Sequence, residues 1–195
     1  MVELLLQHGA DVHATDNEGL SALLIADSAE ILDLLLAAGA DPKQTDAKGN
    51  TLLHVNGSYD SDDDALIKRL FELGLDVNAR NNDGATPLIS ACKHYSPGSE
   101  FITALLEHGA DINARDNKGR TALMHAAANA YSPSALELLI ERGADHTLRD
   151  NDGKSLYTIA KEENKNSHDV LKFIQSIGKK GKKSNKRFNL RAIFD

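Results

Sequence analysis

Residues 105–115 read LLEHGADINAR, and this stretch decides the fold because its Gly-Ala-Asp centre recurs along the chain. The glycine of this stretch is Gly109, and related phrases surround Gly9, Gly39, Gly74 and Gly143. Successive glycines of this set lie 30, 35, 35 and 34 residues apart. Self-similarity at such a period indicates an array of stacked structural units.

Each unit carries signals for two helices and a turn. A second glycine follows the first by ten residues, and a Ser or Thr stands two residues after it. These hydroxyl residues, which we predict to be helix N-caps, are Ser21, Thr51, Thr86, Thr121 and Ser155. A small-residue helix and a leucine-rich second helix should follow each cap, and the second helix should end on a left-handed glycine. The segment between the two glycines has turn chemistry and predicts a hairpin-like finger.

Residues 84–88 (GATPL) and 105–116 (LLEHGADINARD) resemble the ankyrin repeat family, and the resemblance extends over about residues 1–177. It implies an all-α repeat solenoid of stacked helix–turn–helix ankyrin repeats with short hairpin-like fingers. It also implies a protein that binds other macromolecules and does no chemistry of its own. The predicted organisation is a half repeat at 1–15, then repeats at about 16–45, 46–80, 81–115, 116–149 and 150–177, and a basic C-terminal tail at 178–195.

The units depart from the family's pattern between their helices. The unit that begins at Asp16 has only 30 residues, so its first helix or its inter-helix turn must be shortened. Three later insertions each hold a tyrosine, at Tyr59, Tyr95 and Tyr131, which are spaced 36 residues apart. These tyrosines are open to two interpretations, either an aromatic binding strip or lids whose hydroxyls satisfy the loop backbone.

The first residues match only the second helix and the finger of a unit. Leu4, Leu5 and Leu6 therefore have no partner helix before them in the sequence. Terminal repeats normally carry a polar outer face. We expect either a longer natural protein or a contact between this end and another chain.

The net charge of −7 divides into two parts of opposite sign. Residues 178–195 hold seven basic residues and one acidic residue, a charge of +6, whereas the preceding residues hold 15 basic and 28 acidic residues, a charge of −13. The basic tail is open to three interpretations: a solubilising terminus, a contact with an anionic surface or nucleic acid, and a nuclear address.

No apolar run approaches the roughly 20 residues of a membrane span. With one cysteine and no signal peptide pattern, a cytoplasmic location is predicted, or a nuclear one through the tail in a eukaryote.

The sequence offers no set of residues for catalysis or metal binding. Cys92 replaces a helix alanine of the other units, which predicts a small core residue. Residues 60–64 read DSDDD as in a calcium loop, but Ala65 and Phe71 stand where such a loop needs Gly and Glu. The eight histidines lack zinc-ligand spacing, and no glycine-rich phosphate loop is present. We therefore predict no enzyme, no cofactor and no metal.

Some polar residues have roles that the resemblance implies. His54 lies in a Thr-Leu-Leu-His phrase, where the family's histidine is a structural hydrogen-bonding residue. His125 falls on a first helix and can face the concave groove. Asn78 and Asn113 occupy a position that is enzymatically hydroxylated in some animal proteins of the family, but we interpret each as stabilising its own turn.

The leading hypothesis is a non-catalytic protein–protein interaction module, an adaptor or scaffold that binds its partner through the concave face and the finger tips. The predicted partner-binding residues are Asn17, Glu18, Lys48, Tyr59, Asn82, Asp83, Lys93, His94, Tyr95, Asn117, Lys118, Asn129, Tyr131, Asn151 and Asp152. The acidic body favours a basic or neutral protein partner over nucleic acid. The alternatives are a regulatory or inhibitory subunit that masks an enzyme or toxin, and the targeting segment of a larger multidomain protein.

Overall fold

Ten α-helices and no β-strand occur within residues 1–56, 64–93, 99–130, 133–164 and 168–183, the parts of the chain that the computed structural model describes. Side chains are described as far as Ile177. The helices are α1 (Val2–Gln7), α2 (Ala29–Ala37), α3 (Leu52–Asn56), α4 (Asp64–Glu72), α5 (Pro87–Ala91), α6 (Ser99–Glu107), α7 (Ala122–Asn129), α8 (Ser134–Glu141), α9 (Leu156–Glu163) and α10 (His168–Lys183). The all-α repeat solenoid predicted from the sequence is confirmed.

The helices stack in two rows. An inner row runs through α3, α5, α7 and α9, and an outer row runs through α1, α2, α4 and α6. The rows are joined within units, where α5 contacts α6, α7 contacts α8 and α9 contacts α10. Contacts between successive helices of each row thus join neighbouring units, as a solenoid requires.

Hydroxyl caps start three inner helices as the sequence predicts. The Thr86, Thr121 and Ser155 side chains each accept the backbone N–H of the residue three positions on. The Thr51 hydroxyl lies 2.9 Å from Nδ1 of His54. The glycines after the outer helices have φ between 63° and 97°, the left-handed conformation expected of a C-cap.

The short unit that begins at Asp16 has lost its inner helix. Residues 22–25 form turns, although Ser21 still accepts the N–H of Leu24 at 3.3 Å. The shortening predicted from the 30-residue spacing is therefore confirmed, and it falls on the first helix. One consequence is that Ile25 is 49% exposed.

The core consists of large aliphatic side chains from both rows of helices, together with small side chains that lie mainly on the inner helices. Leu32, Leu66, Leu105 and Leu136 are at most 1% exposed. The small side chains predicted to let the helices approach are all buried, and they are Ala26, Ala91, Cys92, Ala126, Ala127 and Ala160. Burial of this apolar area, at about 25 cal/mol per Å², is the main stabilising contribution to the stack.

The two ends of the stack differ. Helix α1 has no buried residue, and Leu4 and Leu5 are 59% and 55% exposed, as expected from the missing partner helix. At the other end Val170 and Ile174 of α10 are buried. Helix α10 continues past Ile177 to Lys183, so the first six residues of the predicted tail extend this helix. No helix in the described part of the chain is long and apolar enough to cross a membrane.

Candidate functional site

The fingers are built by one repeated side-chain contact. The first residue of each finger turn uses its Oδ1 to accept the backbone N–H groups of the residues two and four positions later, at 2.7–3.1 Å. These residues are Asp16, Asp46, Asn81, Asp116 and Asp150. Asp and Asn are favoured in turns because the side chain can bond the nearby backbone in this way.

Neighbouring fingers are joined backbone to backbone. The carbonyls of Glu18, Lys48, Asp83 and Lys118 each accept an N–H from the next finger at 2.9 Å. The donors are the residues that precede the tip of that next finger, namely Ala47, Asn82, Asn117 and Asn151. The fingers therefore form one hydrogen-bonded row along the solenoid.

Three asparagines predicted as partner contacts are used within this row. The side-chain amides of Asn82, Asn117 and Asn151 donate to the carbonyls of Ala47, Asn82 and Asn117 at 3.0–3.1 Å. All three are exposed, yet each amide nitrogen already bridges two fingers. The sequence did not reveal this role, because each bond joins residues 34 or 35 positions apart.

A concave groove of about 280 Å³, called the finger groove below, lies between the fingers and the inner helices. Four predicted residues line it: Glu18, Lys48, Asp83 and Lys93. The other lining residues are Leu20, Asp46, Asn50, His54, Val55, Asn81 and Ser90. The sequence analysis did not predict these seven residues as partner contacts, although Asp46, Asn50 and Asn81 belong to the finger turns that the repeat pattern located.

A smaller hollow of about 160 Å³ continues the finger groove towards the C-terminal units. It shares Asp83 and Lys93 with the groove, and Asn117 and Lys118 are the further predicted residues that line it. Asp116, Arg120 and His125 complete the lining. The structure thus brings six predicted residues to one continuous concave surface.

The exposed charges of this surface pair only loosely. Lys48 Nζ lies 3.3 Å from a carboxylate oxygen of Glu18, and Lys93 Nζ lies 3.8 Å from one of Asp83. The side chains of Glu18, Lys48 and Asp83 are 66%, 70% and 80% exposed, so these pairs contribute little to stability. Their charges remain accessible to a partner.

The remaining predicted residues lie apart from the two hollows. Asn17, Asn151 and Asp152 are exposed on the first and last fingers. Asn129 is half-buried and donates to the carbonyl of His125 at 3.0 Å. Tyr59, His94, Tyr95 and Tyr131 lie outside the described residues, so neither interpretation of the tyrosines is tested.

His54 holds an inner helix to the next finger. Its Nδ1 accepts the backbone N–H of Thr51 at 3.2 Å, and its Nε2 donates to the carbonyl of Ala85 at 3.0 Å. Burial lowers the pKa of His54, and its bond to the Ala85 carbonyl offsets this only in part. The predicted structural role of this histidine is confirmed.

His125 lines the smaller hollow but is nearly buried, with 8% of its surface accessible. Its Nε2 donates to Oδ2 of Asp116 at 2.8 Å. Burial lowers the pKa of His125 despite this carboxylate. Burial would raise the pKa of Asp116, but its bonds with His125 and the backbone N–H groups outweigh this and the pKa is lowered. The neutral histidine thus anchors the finger turn.

The last unit is tied to the groove by an arginine. Arg120 makes a bidentate pair with Glu163, with N–O distances of 2.8 and 2.6 Å, and also lies 3.3 Å from Asp150. The hydrogen bond from Arg120 lowers the pKa of Glu163. Next to this pair, the Asn164 amide donates to the buried carbonyls of Ala127 and Ala130 at 3.1 and 2.8 Å. These contacts fix the end of α9 to α7.

Asn78 and Asn113 act across units, so our interpretation of each as stabilising its own turn is wrong. Asn78 donates to the carbonyl of Gly109 at 3.0 Å and accepts the N–H of Asp111 at 2.8 Å. Asn113 accepts the N–H of Asp145 at 2.9 Å. The local turn is instead made by the aspartates two positions earlier, as Asp76 accepts the N–H of Asn78.

Side chains suited to chemistry are few in the described part of the chain. Cys92 is fully buried, and burial raises the pKa of its thiol to about 12, which keeps it protonated and unreactive. No group of three or more His, Cys, Asp or Glu side chains in the described ranges could hold a metal ion. The concave surface offers hydrogen-bonding and charged groups, which suit recognition.

A family model described as ankyrin repeats (three copies) matches residues 26–116, 53–150 and 98–187. The chain belongs to the ankyrin repeat family. Members of this family are generally protein–protein interaction modules and typically non-catalytic. The recurring Gly-Ala-Asp phrase, the helix pairs and the joined fingers are thus features of one ankyrin stack.

Several curated ankyrin proteins are similar to part of this chain. NF-kappa-B inhibitor delta of Mus musculus is 33% identical over 92 residues, which are 45% of this chain and 28% of that protein. Ankyrin repeat and SOCS box protein 6 of Homo sapiens is 41% identical over 95 residues, 44% of this chain and 23% of that protein. Transient receptor potential cation channel subfamily A member 1 of Homo sapiens is 32% identical over 108 residues, 51% of this chain and 9% of that protein. The chain therefore spans less than a third of the length of each of these relatives.

Proposed function

We propose that this chain is a non-catalytic adaptor or scaffold module that binds a protein partner across the finger groove and the finger tips. The observation that carries the proposal is the convergence of Glu18, Lys48, Asp83 and Lys93 on one groove of about 280 Å³. Glu18, Lys48 and Asp83 come from three fingers and have exposed side chains, whereas Lys93 follows α5 and its side chain is 31% exposed. A surface assembled from several repeats is large enough to bind a protein.

The row of joined fingers supports the proposal on energetic grounds. Backbone bonds and the Asn82, Asn117 and Asn151 amides hold the tips in place before any partner arrives. A preorganised surface loses little conformational entropy on binding, so more of the contact energy appears as affinity. The acidic body, with a charge of −13 before residue 178, favours a basic or neutral partner.

A regulatory or inhibitory subunit is the second candidate function. The observation that favours it is the similarity to NF-kappa-B inhibitor delta, which is an inhibitor by its name. Such a subunit would use the same groove but would hold one defined partner tightly. A pull-down with the intact chain that yields a single stoichiometric partner supports this function over a general adaptor.

The test of the binding surface is a charge reversal. Asp83→Lys with Asp152→Lys should weaken the affinity for the captured partner at least tenfold, because both residues are exposed on finger tips. The matched control is Glu30→Lys with Glu137→Lys, which changes the net charge equally on the exposed faces of α2 and α8. Calorimetric titration measures both. An unchanged affinity in the first variant, or an equal loss in the control, counts against the groove.

A further inference from the structure

One position in every finger carries a charge, and the sign of that charge alternates along the stack. The position is the residue directly before the second glycine of each unit. We call these five residues the fingertip ladder, and in order they are Glu18, Lys48, Asp83, Lys118 and Asp152. The order of charges is therefore negative, positive, negative, positive, negative.

The backbone places the ladder residues at a regular spacing. The carbonyl of each of the first four accepts, at 2.9 Å, the N–H of the residue that precedes the next ladder position. One step along the ladder is thus one hydrogen-bonded pair of residues, about 5 Å between Cα atoms, plus one bond along the chain, about 4 Å. The Cα spacing is therefore at most about 9 Å per finger, a value reached when the two steps lie in line.

Most charges of the fingertip ladder are not paired with one another. Only its first two members pair with each other, Glu18 and Lys48 at 3.3 Å, and both are about two-thirds exposed. Asp83 pairs with Lys93, which lies outside the ladder, at 3.8 Å. Lys118 and Asp152 are exposed and make no ion pair with any described residue. Direct ion pairs between neighbouring ladder residues therefore account for only the first of its four steps.

We propose that the fingertip ladder binds an extended segment of a partner protein, and that this segment carries charges of alternating sign at every third residue. Basic residues would face Glu18, Asp83 and Asp152, and acidic residues would face Lys48 and Lys118. A polyproline II segment has three residues per turn and a rise of about 3.1 Å, so it presents a side chain on one face about every 9 Å. That repeat equals the upper limit of the finger spacing derived above.

The order of signs would supply specificity that the overall acidity cannot. A uniformly basic segment is attracted to the body but places cations against Lys48 and Lys118. Like charges brought together disfavour the wrong partner, which is a recognised means of discrimination. The inference rests on the proposed function and narrows its partner to a segment of defined charge order.

Two peptides of equal composition test the ladder. Fluorescein-labelled RPPEPPRPPEPPR carries the alternating order, and RPPRPPRPPEPPE carries the same charges in blocks. The intact chain should bind the alternating peptide at least fivefold more tightly in fluorescence anisotropy at about 20 mM salt, and the preference should shrink at about 0.3 M salt as screening increases. Equal affinity for the two peptides would overturn the proposal. Tighter binding of a helical peptide with the same charges every seven residues would overturn the extended conformation.

A charge exchange within the ladder locates the effect. Lys118→Asp with Asp152→Lys keeps the net charge but breaks the alternating order, so the preference for the alternating peptide should disappear. Glu30→Lys with Lys161→Glu is the matched control, since it exchanges two exposed charges outside the ladder and should keep the preference. Thermal unfolding confirms that both variants fold. A preference that survives the ladder exchange would overturn the assignment to these residues.

The same exchange separates this inference from the proposed function. In one outcome, a captured protein is lost when Asp83 and Asp152 are reversed but still binds when Lys118 and Asp152 are exchanged. That result supports the groove as the binding surface and overturns the proposal that the order of charges is recognised. The converse result is also informative. If the intact chain distinguishes the two peptides but captures no protein, the ladder is supported and the proposed function is contradicted.

Discussion

The glycines at the finger tips are single residues on which the joining of two fingers depends. Gly119 has a φ of +75°, and a Cβ there would overlap Oδ1 of Asn151 and lie 2.7 Å from Nη2 of Arg115. The Asn151 amide is the group that bridges to Asn117. The absence of a side chain at Gly119 therefore serves the neighbouring finger as well as its own turn.

We predict that Gly119→Ala lowers the free energy of unfolding by about 2–4 kcal/mol, since it adds left-handed strain and displaces the Asn151 bridge. Gly143→Ala is the matched control, because Gly143 also has positive φ (+94°) but no atom lies within 4 Å of an added Cβ. The control should lose only about 1–2 kcal/mol. Urea unfolding of the two variants compares them, and equal losses would contradict the role of the bridge.

Among residues, the sequence predicted local contacts correctly and distant ones poorly. Ser155 and Thr121 cap the helices they precede, as the hydroxyl followed by a helix pattern indicated. Asn82 and Asn117 were predicted to contact a partner protein, and Asn78 was predicted to stabilise its own turn. Their partners lie a full repeat away, so no pattern within one unit could reveal them.

At the scale of elements, buried histidines couple inner helices to fingers. His54 belongs to α3 yet donates to Ala85 of the next unit, and it does so as a neutral ring. Because burial lowers the pKa of His54, the unfolded chain takes up a proton at a higher pH than the folded chain does. Its contribution is therefore complete above the unfolded pKa of about 6.5 and is lost as the pH falls through the lower folded pKa.

We predict that the free energy of unfolding decreases between about pH 7.5 and 5.5, and that His54→Gln decreases less over the same range because the titrating group is gone. Burial also lowers the pKa of His125 and His146, so part of the dependence should remain. The exposed His13→Gln serves as the control and should keep the wild-type dependence. Urea unfolding at several pH values measures this, and a slope unchanged in His54→Gln would contradict the coupling.

The C-terminal helix extends past the boundary expected from the charge pattern. The basic pattern after Ile177 predicted a separate tail, whereas α10 continues to Lys183. Its first part is docked through Val170 and Ile174, and a docked helix extends readily because propagation costs much less than nucleation. The spacing predicted a shortening near Asp16 in either the first helix or the inter-helix turn, and the structure places it in the first helix.

On the scale of the whole molecule, stability should vary along the stack. Helix α1 has no buried residue and residues 22–25 lack an inner helix, whereas α7 has seven buried residues and packs on α5, α8 and α9. Repeat stability is approximately a sum of units and nearest-neighbour interfaces. Helix α1, which has no buried residue, is therefore the part of the stack held by the least buried surface.

We predict that native-state hydrogen exchange of the amides in residues 1–26 is at least about a hundredfold faster than that of the α7 amides, after correction for intrinsic rates. Mass spectrometry of the intact chain, with peptides covering both regions, measures the difference. The internal comparison is α9, whose docking by Arg120 and Asn164 should keep it close to α7. Protection that is uniform from α1 to α9 would contradict a graded stack.

The sequence by itself determined the repeat, the position of the caps and glycines, and the class of protein, because these depend on signals within one unit that recur five times. Only the tertiary structure decided which exposed side chains remain available to a partner. Asn82 and Glu18 stand at adjacent positions of equivalent turns, yet the Asn82 amide is used between fingers while Glu18 stays exposed on the groove. The physical reason is that stacking brings together residues about one repeat apart, and the contacts made there are set by packing distances that no single unit contains.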